Sequence, residues 1–373
     1  MGPRTGQPRG PLGRCLIRVL LALAALASAG LSADCPSTAE STKEVSSAMP
    51  ADAPPRKVVI GTMMQSFWEE YPGLDARLAT LAGLVDRMAA EAKRKYDTRL
   101  DLGVLTEYAV TGETGDLARR AVPLEGKAME VMAAAARRND TYLIFGTILK
   151  EDEAHGLYSN AAVLLDRKGK LVGVYRKVHA VADMGKATCE GGVTPGREFP
   201  VFDCDFGRVG IAICFDMSFS EVWEAYRRKG AEIVVWPTQS PQTIQPRWRA
   251  LQNRYFIVSS TWRTNASIFD PTGDIIAQTT EPSSVLVEQI DLTYALVGWQ
   301  PKLENGKLLT DRYGKAVGYR YSEAEDGGIF WSNDPNLPIM KMVRELGLEL
   351  QSECLERNLR VESQLRGGPP TLE

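Results

Sequence analysis

Histidine is the scarcest of the residues that commonly carry catalysis in this chain. Only His155 and His179 occur among 373 residues. Ser-His-Asp relays and Cys–His pairs both depend on a histidine base, so few arrangements of that kind are open to this sequence. The two histidines and the six cysteines also lack the spacing of a zinc site. We therefore expect no metal centre.

The chain also lacks an excess of positive charge. Its formal net charge is −3, and no broad basic stripe is present. A nucleic-acid-binding surface is therefore not expected. Gly191-Gly192 has no strand before it and no Lys-Ser/Thr pair with a helix after it, so it does not form a phosphate-binding loop.

Long apolar runs are missing as well. The run from Val19 to Leu31 is too short for a comfortable membrane span, and small residues follow it up to Ala33. Four basic residues precede or begin it: Arg4, Arg9, Arg14 and Arg18. This order is typical of a secretory signal peptide at residues 1–33. We expect a secreted or periplasmic protein with no stable membrane span after cleavage. An uncleaved anchor helix is the alternative.

Cysteine usage leaves one thiol without a partner. Of the six cysteines, Cys15 would leave with the signal peptide, and five would remain. An odd number in an oxidising compartment means that at least one thiol stays unpaired within the chain. Nucleophilic function explains such a thiol, and burial as a small apolar residue is the alternative. We expect Cys214 to stay free.

The composition divides the rest of the chain into three parts. Residues 34–56 are rich in Ser, Ala and Pro and are predicted to be a flexible linker. Residues 57–295 are predicted to be the catalytic domain. Residues 296–373 are predicted to be a C-terminal extension that packs on it and contains one helix-like run.

Periodicity predicts a mixture of strands and helices. The predicted strands are 58–60, 100–105, 142–149, 161–165, 171–175, 199–204, 209–214, 233–236, 257–261, 267–269, 275–277 and 285–290, and the predicted helices are 74–92, 125–138, 220–229, 247–256 and 339–355. Turns at 166–169 and 206–207 join neighbouring strands as hairpins. Hairpins exclude an all-parallel, doubly wound sheet, so the pattern favours a layered α/β fold with mixed sheets.

Cys214 is the last residue of a predicted apolar strand, and a helix begins a few residues later. A thiol at such a turn projects from the sheet edge, where backbone N–H groups can lower its pKa. Taken alone, a cysteine in an apolar run is more often a core residue.

Glu107 and Lys177 also stand at the ends of predicted strands. Each has an ordinary interpretation as a cap or a solvated charge. With Cys214, however, they form a set suited to attack on a carbonyl or nitrile carbon. Glu107 would be the general base, Cys214 the nucleophile and Lys177 the cation that stabilises the oxyanion.

Four ordered segments resemble the signature blocks of the nitrilase superfamily of carbon–nitrogen hydrolases. They are residues 105–108 (Leu-Thr-Glu-Tyr), 175–179 (Tyr-Arg-Lys-Val-His), 195–196 (Pro-Gly) and 210–216 (Gly-Ile-Ala-Ile-Cys-Phe-Asp), and residues 160–162, 230–232 and 270–273 add to the likeness. The resemblance runs from about Val58 to Leu292. It implies an α-β-β-α sandwich, a Glu107-Lys177-Cys214 triad, no metal or organic cofactor, and a homo-oligomer formed by pairing sandwiches.

The resemblance also suggests further site residues. A second glutamate often assists in this family, and Glu190 resembles it; a loop charge is the alternative. The substrate-binding candidates lie in or near strand-end loops, where aromatic residues also often complete a core. They are Tyr108, Phe215, Trp236 and Thr238, with Trp68 and Gln239 beside them.

The residues after the cysteine bear on the reaction. Phe215-Asp216 resembles the amidase and carbamoylase branches, whereas nitrilases usually have Trp-Glu there. The arginine that commonly follows is absent, and Met217-Ser218 stands in its place. We predict an exported hydrolase that cleaves a small-molecule amide or N-carbamoyl compound through a cysteine thioester. The alternatives are an N-acyltransferase that uses the same thioester, nitrile hydrolysis, or an inactive secreted binding protein.

Overall fold

The structure is a computed structural model that describes residues 50, 52–279, 281 and 284–371. The predicted signal peptide and most of the predicted linker lie outside the described residues. The strands are β1 (Lys57–Met64), β2 (Leu102–Val104), β3 (Tyr142–Asp152), β4 (Leu157–Leu165), β5 (Leu171–Arg176), β6 (Val201–Cys204), β7 (Gly207–Ile211), β8 (Ile233–Pro237), β9 (Phe256–Ser260), β10 (Ser267–Phe269), β11 (Ile275–Gln278), β12 (Ser284–Asp291), β13 (Tyr294–Gly298), β14 (Val317–Ser322) and β15 (Gly327–Ser332). The α-helices are α1 (Leu74–Tyr96), α2 (Leu117–Arg120), α3 (Lys127–Arg138), α4 (Ser220–Arg228), α5 (Ile244–Asn253), α6 (Lys307–Tyr313), α7 (Ile339–Glu345) and α8 (Gln351–Arg366).

Two six-stranded sheets form the main body, with the strand orders β12-β1-β2-β3-β4-β5 and β11-β10-β9-β8-β7-β6. In the first sheet β1, β2 and β3 are parallel and their outer neighbours are antiparallel. The second sheet repeats this plan around β7, β8 and β9. The prediction of mixed sheets is therefore confirmed.

Side-chain alternation along the strands divides the core into three layers. Ile144 of β3 points into a core between the two sheets, whereas Phe145 points to a core shared with α1 and α3. In the second sheet Val235 faces the other sheet, and Trp236 faces α4 and α5. Strands covered on both faces read as continuous apolar runs, which is why they stood out in the sequence. The layers are α-β-β-α, as predicted.

A bridge between the sheets fixes their relative direction. Met64, the last residue of β1, pairs in parallel with Thr261, which directly follows β9. The Thr261 N–H donates to the Met63 carbonyl at 3.0 Å, and the Gln65 N–H donates to the Thr261 carbonyl at 3.0 Å. The parallel strands of both sheets therefore end on the same edge of the sandwich. Side chains that follow those strands come together there.

The C-terminal region has its own small sheet, with the strand order β13-β15-β14. Its apolar face packs against α6 and α7 through Leu309, Phe330, Ile339 and Val343. None of its three strands, β13, β14 and β15, was predicted from the sequence. The sheet also combines residues from both sides of the boundary that was predicted between 295 and 296.

Two predicted helices differ from the structure. The helix predicted over 339–355 is two helices, because Gly347 adopts a φ of 60° and ends α7 with a bond from the Leu348 N–H to the Val343 carbonyl at 3.0 Å. The helix predicted over 247–256 lies three residues earlier, since Arg254 with a φ of 59° ends α5. No described helix combines the length and apolar character needed to cross a bilayer.

Candidate active site

Three side chains reach the shared edge of the sandwich from three strands. Lys177 directly follows β5, while Glu107 follows the end of β2 and Cys214 the end of β7 after short connections. The prediction that Cys214 is the last residue of its strand is wrong, because β7 ends at Ile211 and Cys214 begins a 3₁₀ turn over 214–218. The extra residues carry the thiol beyond the sheet edge.

A glycine allows the Glu107 loop to pass close to β3. A Cβ added to Gly146 would lie 2.4 Å from the Thr106 carbonyl oxygen and 2.7 Å from the Glu107 Cα. The Gly146 N–H donates to the Thr106 carbonyl at 3.1 Å, and the Val110 N–H donates to the Gly146 carbonyl at 3.2 Å. No other residue type permits this approach without a shift of the backbone. Gly146 thereby fixes the position of Glu107.

Lys177 joins two glutamates in a buried ion network. Its Nζ donates to Glu107 Oε1 at 2.9 Å and to Glu190 Oε1 at 2.6 Å. Glu107 and Lys177 are only 1% and 2% exposed. Glu190 also accepts from the Val181 N–H at 3.0 Å, which fixes the loop that carries it. Three of the four predicted catalytic side chains are thus in direct contact.

Asn160 and Tyr108 complete this network. The Asn160 amide nitrogen donates to Glu107 Oε1 and to Glu190 Oε2, each at 2.9 Å. The Tyr108 hydroxyl donates to Glu190 Oε2 at 2.7 Å. Sequence analysis noted Asn160 only as part of a resembling segment and did not assign it to the site. Its position could have indicated this role, because Asn160 lies on β4 and β4 pairs with β5, the strand that Lys177 follows.

Electrostatics in this network follow from burial and neighbouring charge. Burial raises the pKa of Glu107, the charge of Glu190 adds to the rise, and the Lys177 ammonium opposes it. Burial would lower the pKa of Lys177, but the adjacent carboxylates outweigh it and the pKa lies above its usual value. For Glu190, burial is outweighed by Lys177, so its pKa is lowered. Lys177 therefore stays a cation, and Glu107 is the more basic of the two carboxylates.

The turn at Cys214 is held by Asp216. Cys214 has a φ of 43°, a backbone conformation that non-glycine residues rarely adopt. Asp216 Oδ2 accepts from the Ile213 N–H at 2.7 Å and from the Tyr175 hydroxyl at 2.7 Å. Its Oδ1 accepts from the His179 N–H at 2.9 Å. The buried carboxylate thus ties the Cys214 turn to β5, the strand that Lys177 follows.

The Cys214 thiol is protonated at rest. Burial raises its pKa to about 12, and the charge of Glu107 adds to the rise. Lys177 opposes this rise, and so do hydrogen bonds from the Thr238 side chain and the Gln239 backbone. To act as a nucleophile, a thiol in this state would need a base, and Glu107 is a nearby group suited to that task.

A cavity of about 770 Å³ opens onto these groups. Glu107, Lys177, Glu190 and Cys214 all line it, together with Tyr108 and, from the other candidates, Trp68 and Gln239. The lining residues do not include Phe215, Trp236 or Thr238, so the structure gives these three no place in the pocket wall. Trp236 is fully buried, and its indole N–H donates to the Cys214 carbonyl at 2.9 Å. This hydrogen bond holds the backbone of the Cys214 turn.

The described cysteines, Cys189, Cys204, Cys214 and Cys354, are all free thiols. Within the described part of the chain, no cluster of His, Cys, Asp and Glu side chains has an arrangement suited to a metal ion.

Sequence comparison places this chain among known proteins. The family model "Carbon-nitrogen hydrolase" matches residues 71–296. Nitrilase homolog 2 of Dictyostelium discoideum is 29% identical over 189 residues, which are 45% of this chain and 58% of that protein. Omega-amidase NIT2-A of Xenopus laevis is 30% identical over 193 residues, which are 46% of this chain and 69% of that protein. The matched region thus spans from just over half to about two thirds of these relatives.

Solved structures share the fold. Nit3 of Saccharomyces cerevisiae, a member of branch 10 of the nitrilase superfamily, matches with a TM-score of 0.56 and 21% identity over 63% of this chain and 90% of its own. An amidase of Nesterenkonia sp. AN1 matches with a TM-score of 0.54 and 16% identity, over 63% of this chain and 90% of its own. In that structure the acetamide moiety of fluoroacetamide is added covalently at the active-site cysteine. The resemblance predicted from the sequence is confirmed: this chain belongs to the carbon–nitrogen hydrolase family of the nitrilase superfamily.

Proposed function

We propose that this protein is an exported hydrolase that cleaves amide or N-carbamoyl bonds of small molecules through a thioester on Cys214. One observation carries the proposal. A base, an ammonium and a thiol, far apart in sequence, line one cavity, with Glu107 and Lys177 in direct contact. The omega-amidases and the amidase among its relatives support amide cleavage over nitrile cleavage.

The geometry supports a two-step reaction. Glu107 takes the thiol proton as the Cys214 sulfur bonds to the carbonyl carbon. The Lys177 ammonium stabilises the negative charge on the carbonyl oxygen. The carbon–nitrogen bond then breaks, and Glu107 returns the proton to the departing nitrogen. Water, deprotonated by Glu107, attacks the thioester and releases the acid and the free thiol.

Export follows from the signal peptide predicted over residues 1–33. The experiment is to express the full chain, collect the exported fraction, sequence its N-terminus and assay it on aliphatic amides and N-carbamoyl amino acids. We expect a mature protein that begins at Asp34 and is active. Protein that keeps Met1 and stays in the cytoplasm would contradict export, without bearing on the chemistry.

The nucleophile is tested with a matched pair of variants. Cys214→Ala should lower kcat by at least roughly a thousandfold, because no other group replaces the nucleophile. Cys204→Ala is the control, since burial also raises the pKa of the Cys204 thiol to about 12, but Cys204 does not line the cavity. Full activity in Cys214→Ala would end the proposal.

A further inference from the structure

Two arginines in the cavity wall have no acidic partner. Arg77 of α1 and Arg120 of α2 both line the cavity that holds Cys214. Within the described part of the chain, neither guanidinium forms an ion pair with a carboxylate, and their hydrogen bonds go to backbone carbonyls. Arg77 is only 4% exposed. A guanidinium as deeply buried as that of Arg77 is normally matched by a carboxylate, so Arg77 is an exception. Arg120 is partly buried.

Aromatic rings hold both guanidinium groups in place. The Arg77 Cζ lies 3.9 Å from the centre of the Phe67 ring and 5.3 Å from the centre of the Tyr71 ring. The Arg120 Cζ lies 4.1 Å from the centre of the Tyr71 ring. Tyr71 therefore contacts both cations. Stacked guanidinium groups are preorganised, so little freedom is lost when they bind a ligand.

Each arginine uses only part of its donor set within the protein. Arg77 Nη1 donates to the Ala109 carbonyl at 3.0 Å, and Arg120 Nη1 donates to the Thr111 carbonyl at 3.0 Å. The Tyr71 hydroxyl donates to the Val110 carbonyl, between them, at 3.1 Å. A guanidinium carries five N–H donors in a fork that fits a carboxylate. Most of that capacity is left over.

Among the described residues, the other charged groups that line the cavity do not pair with Arg77 or Arg120. Its third cation, Lys177, is already bound to Glu107 and Glu190. Burial lowers the pKa of Arg77, and the charge of Arg120 lowers it further, because like charges repel. An anion between the two would relieve this repulsion. Four further acids line the cavity, the exposed Glu69, Glu70 and Glu113 and the partly buried Asp183. Asp183 accepts hydrogen bonds from the Thr188 hydroxyl and the Gly191 N–H. The charges of the exposed acids are screened by water more than the buried guanidinium of Arg77 is.

We infer that Arg77 and Arg120 form an anion-binding subsite that holds a carboxylate of the substrate, away from the scissile carbon–nitrogen bond. The inference rests on the proposed function and narrows its substrates to amides or ureido compounds that carry an acidic group. The sequence fits this assignment. Met217-Ser218 stands where an arginine commonly follows Asp216 in the family, so any positive charge for a substrate must come from elsewhere in the wall.

The experiment compares two substrates that differ only at the far end. Glutaric acid monoamide and pentanamide share a five-carbon acyl chain, which ends in a carboxylate in the first and a methyl group in the second. We expect the full-length protein to favour the monoamide in kcat/KM. Arg120→Gln should lower the ratio of the two kcat/KM values by roughly tenfold or more, because a charged hydrogen bond is lost. The change should lie mainly in KM for the monoamide.

A matched variant controls for charge. Arg119 is the exposed neighbour of Arg120 on α2 and does not line the cavity. Arg119→Gln removes the same charge and should leave the substrate ratio unchanged. Arg77→Lys is the second variant of the subsite, because it keeps the buried charge and the fold while losing the forked geometry. It should also lower the ratio.

A purely structural role predicts something different. If the arginines only hold the carbonyls of residues 109–111, their variants will slow both substrates in the same proportion, and the inference is overturned. Equal kcat/KM values for the two substrates in the unmodified protein would overturn it as well.

A ligand-binding measurement tests the anion-binding subsite independently of the reaction. Isothermal titration of glutarate into the Cys214→Ala protein needs no turnover. Binding that is lost in Cys214→Ala/Arg120→Gln supports the subsite even if neither amide is hydrolysed, in which case the proposed function fails alone. Absence of glutarate binding in Cys214→Ala contradicts the subsite, whatever the activity.

Discussion

At the scale of single residues, the proposed role of Glu107 as general base requires a carboxyl group that is both buried and basic. Burial favours its neutral form, while Lys177 at 2.9 Å favours the carboxylate. Glu190 acts against Lys177 here, because its negative charge raises the pKa of Glu107. Asn160 donates a hydrogen bond to each of the two carboxylates. The base strength of Glu107 therefore depends on neighbours that no local sequence pattern reveals.

This balance predicts how activity depends on pH. Glu107 must be deprotonated to act as the base, so kcat/KM falls as pH drops through its pKa. Because that pKa is raised, the acidic limb should lie above the ordinary value of a glutamate. Glu190→Gln removes a charge that raises the pKa of Glu107, so the limb should move to lower pH. The measurement is kcat/KM against pH for both proteins, with the rate of Cys214 alkylation as a second readout.

Glu153→Gln is the control for that experiment. It removes the same charge from an exposed side chain, which pairs with Lys150 at 2.7 Å and does not touch the network. Its acidic limb should coincide with that of the unmodified protein. An upward shift in Glu190→Gln, or none, would show that Glu190 does not set the basicity of Glu107.

Glu107, Lys177 and Cys214 were selected from their positions at strand ends and then from the family resemblance, and Glu190 from the resemblance alone. The structure brings all four to one cavity. Their catalytic roles stay predictions. Asn160 was not assigned to the site, because an amide inside an apolar strand has no motif of its own. Its role depends on β4 lying beside β5, which is a matter of sheet order.

At the scale of elements, three residues of the site have a strained backbone conformation. Tyr108, Glu190 and Cys214 all have positive φ, at 54°, 46° and 43°. Each such residue costs of order 1–3 kcal/mol unless its surroundings fix it. Here the surroundings do so, through the Glu190 hydrogen bonds and the Asp216 carboxylate. Seven other described non-glycine residues also have a positive φ, so strain of this kind is not confined to the site.

Gly146→Ala tests how β3 positions the base. The added Cβ meets the backbone of the Glu107 loop, so either the strand or the loop must move. We expect the free energy of unfolding to fall by about 1–3 kcal/mol, as for overpacked cores, and kcat to fall with it. Chemical denaturation and steady-state kinetics measure the two effects.

Gly83→Ala in α1 is the matched control. A Cβ at Gly83 meets nothing within 4 Å. Alanine there should stabilise the helix by up to about 1 kcal/mol and leave kcat unchanged. If Gly146→Ala behaves like Gly83→Ala, the close approach at β3 does not hold Glu107 in place.

Element boundaries show where local pattern is sufficient and where it is not. Strands buried on both faces were predicted well, since their apolar runs are long and bounded by turns. The break at Gly347 was visible as a glycine inside an apolar period, yet the period alone suggested one helix. β13, β14 and β15 were missed because their short runs, which contain glycine and aromatic residues, are stabilised by a small core that only the tertiary structure supplies.

At the scale of the whole molecule, the site depends on two sheets meeting with one shared edge. The family resemblance predicted the sandwich, and the hairpins in the sequence predicted mixed sheets. The relative direction of the sheets could not be inferred from the pattern. It is set by the pairing of Met64 with Thr261, which are far apart in the chain. The first sheet supplies Glu107 and Lys177, and the second supplies Cys214.

The central claim is that Cys214 carries the acyl group during turnover. The most direct measurement is intact and peptide mass spectrometry of the protein quenched in acid while it hydrolyses an amide. We expect a mass increase equal to that of the acyl group on the peptide that contains residue 214. The increase should be present in Cys204→Ala and absent in Cys214→Ala. Turnover that proceeds in Cys214→Ala, or an acyl group found on another residue, would contradict it.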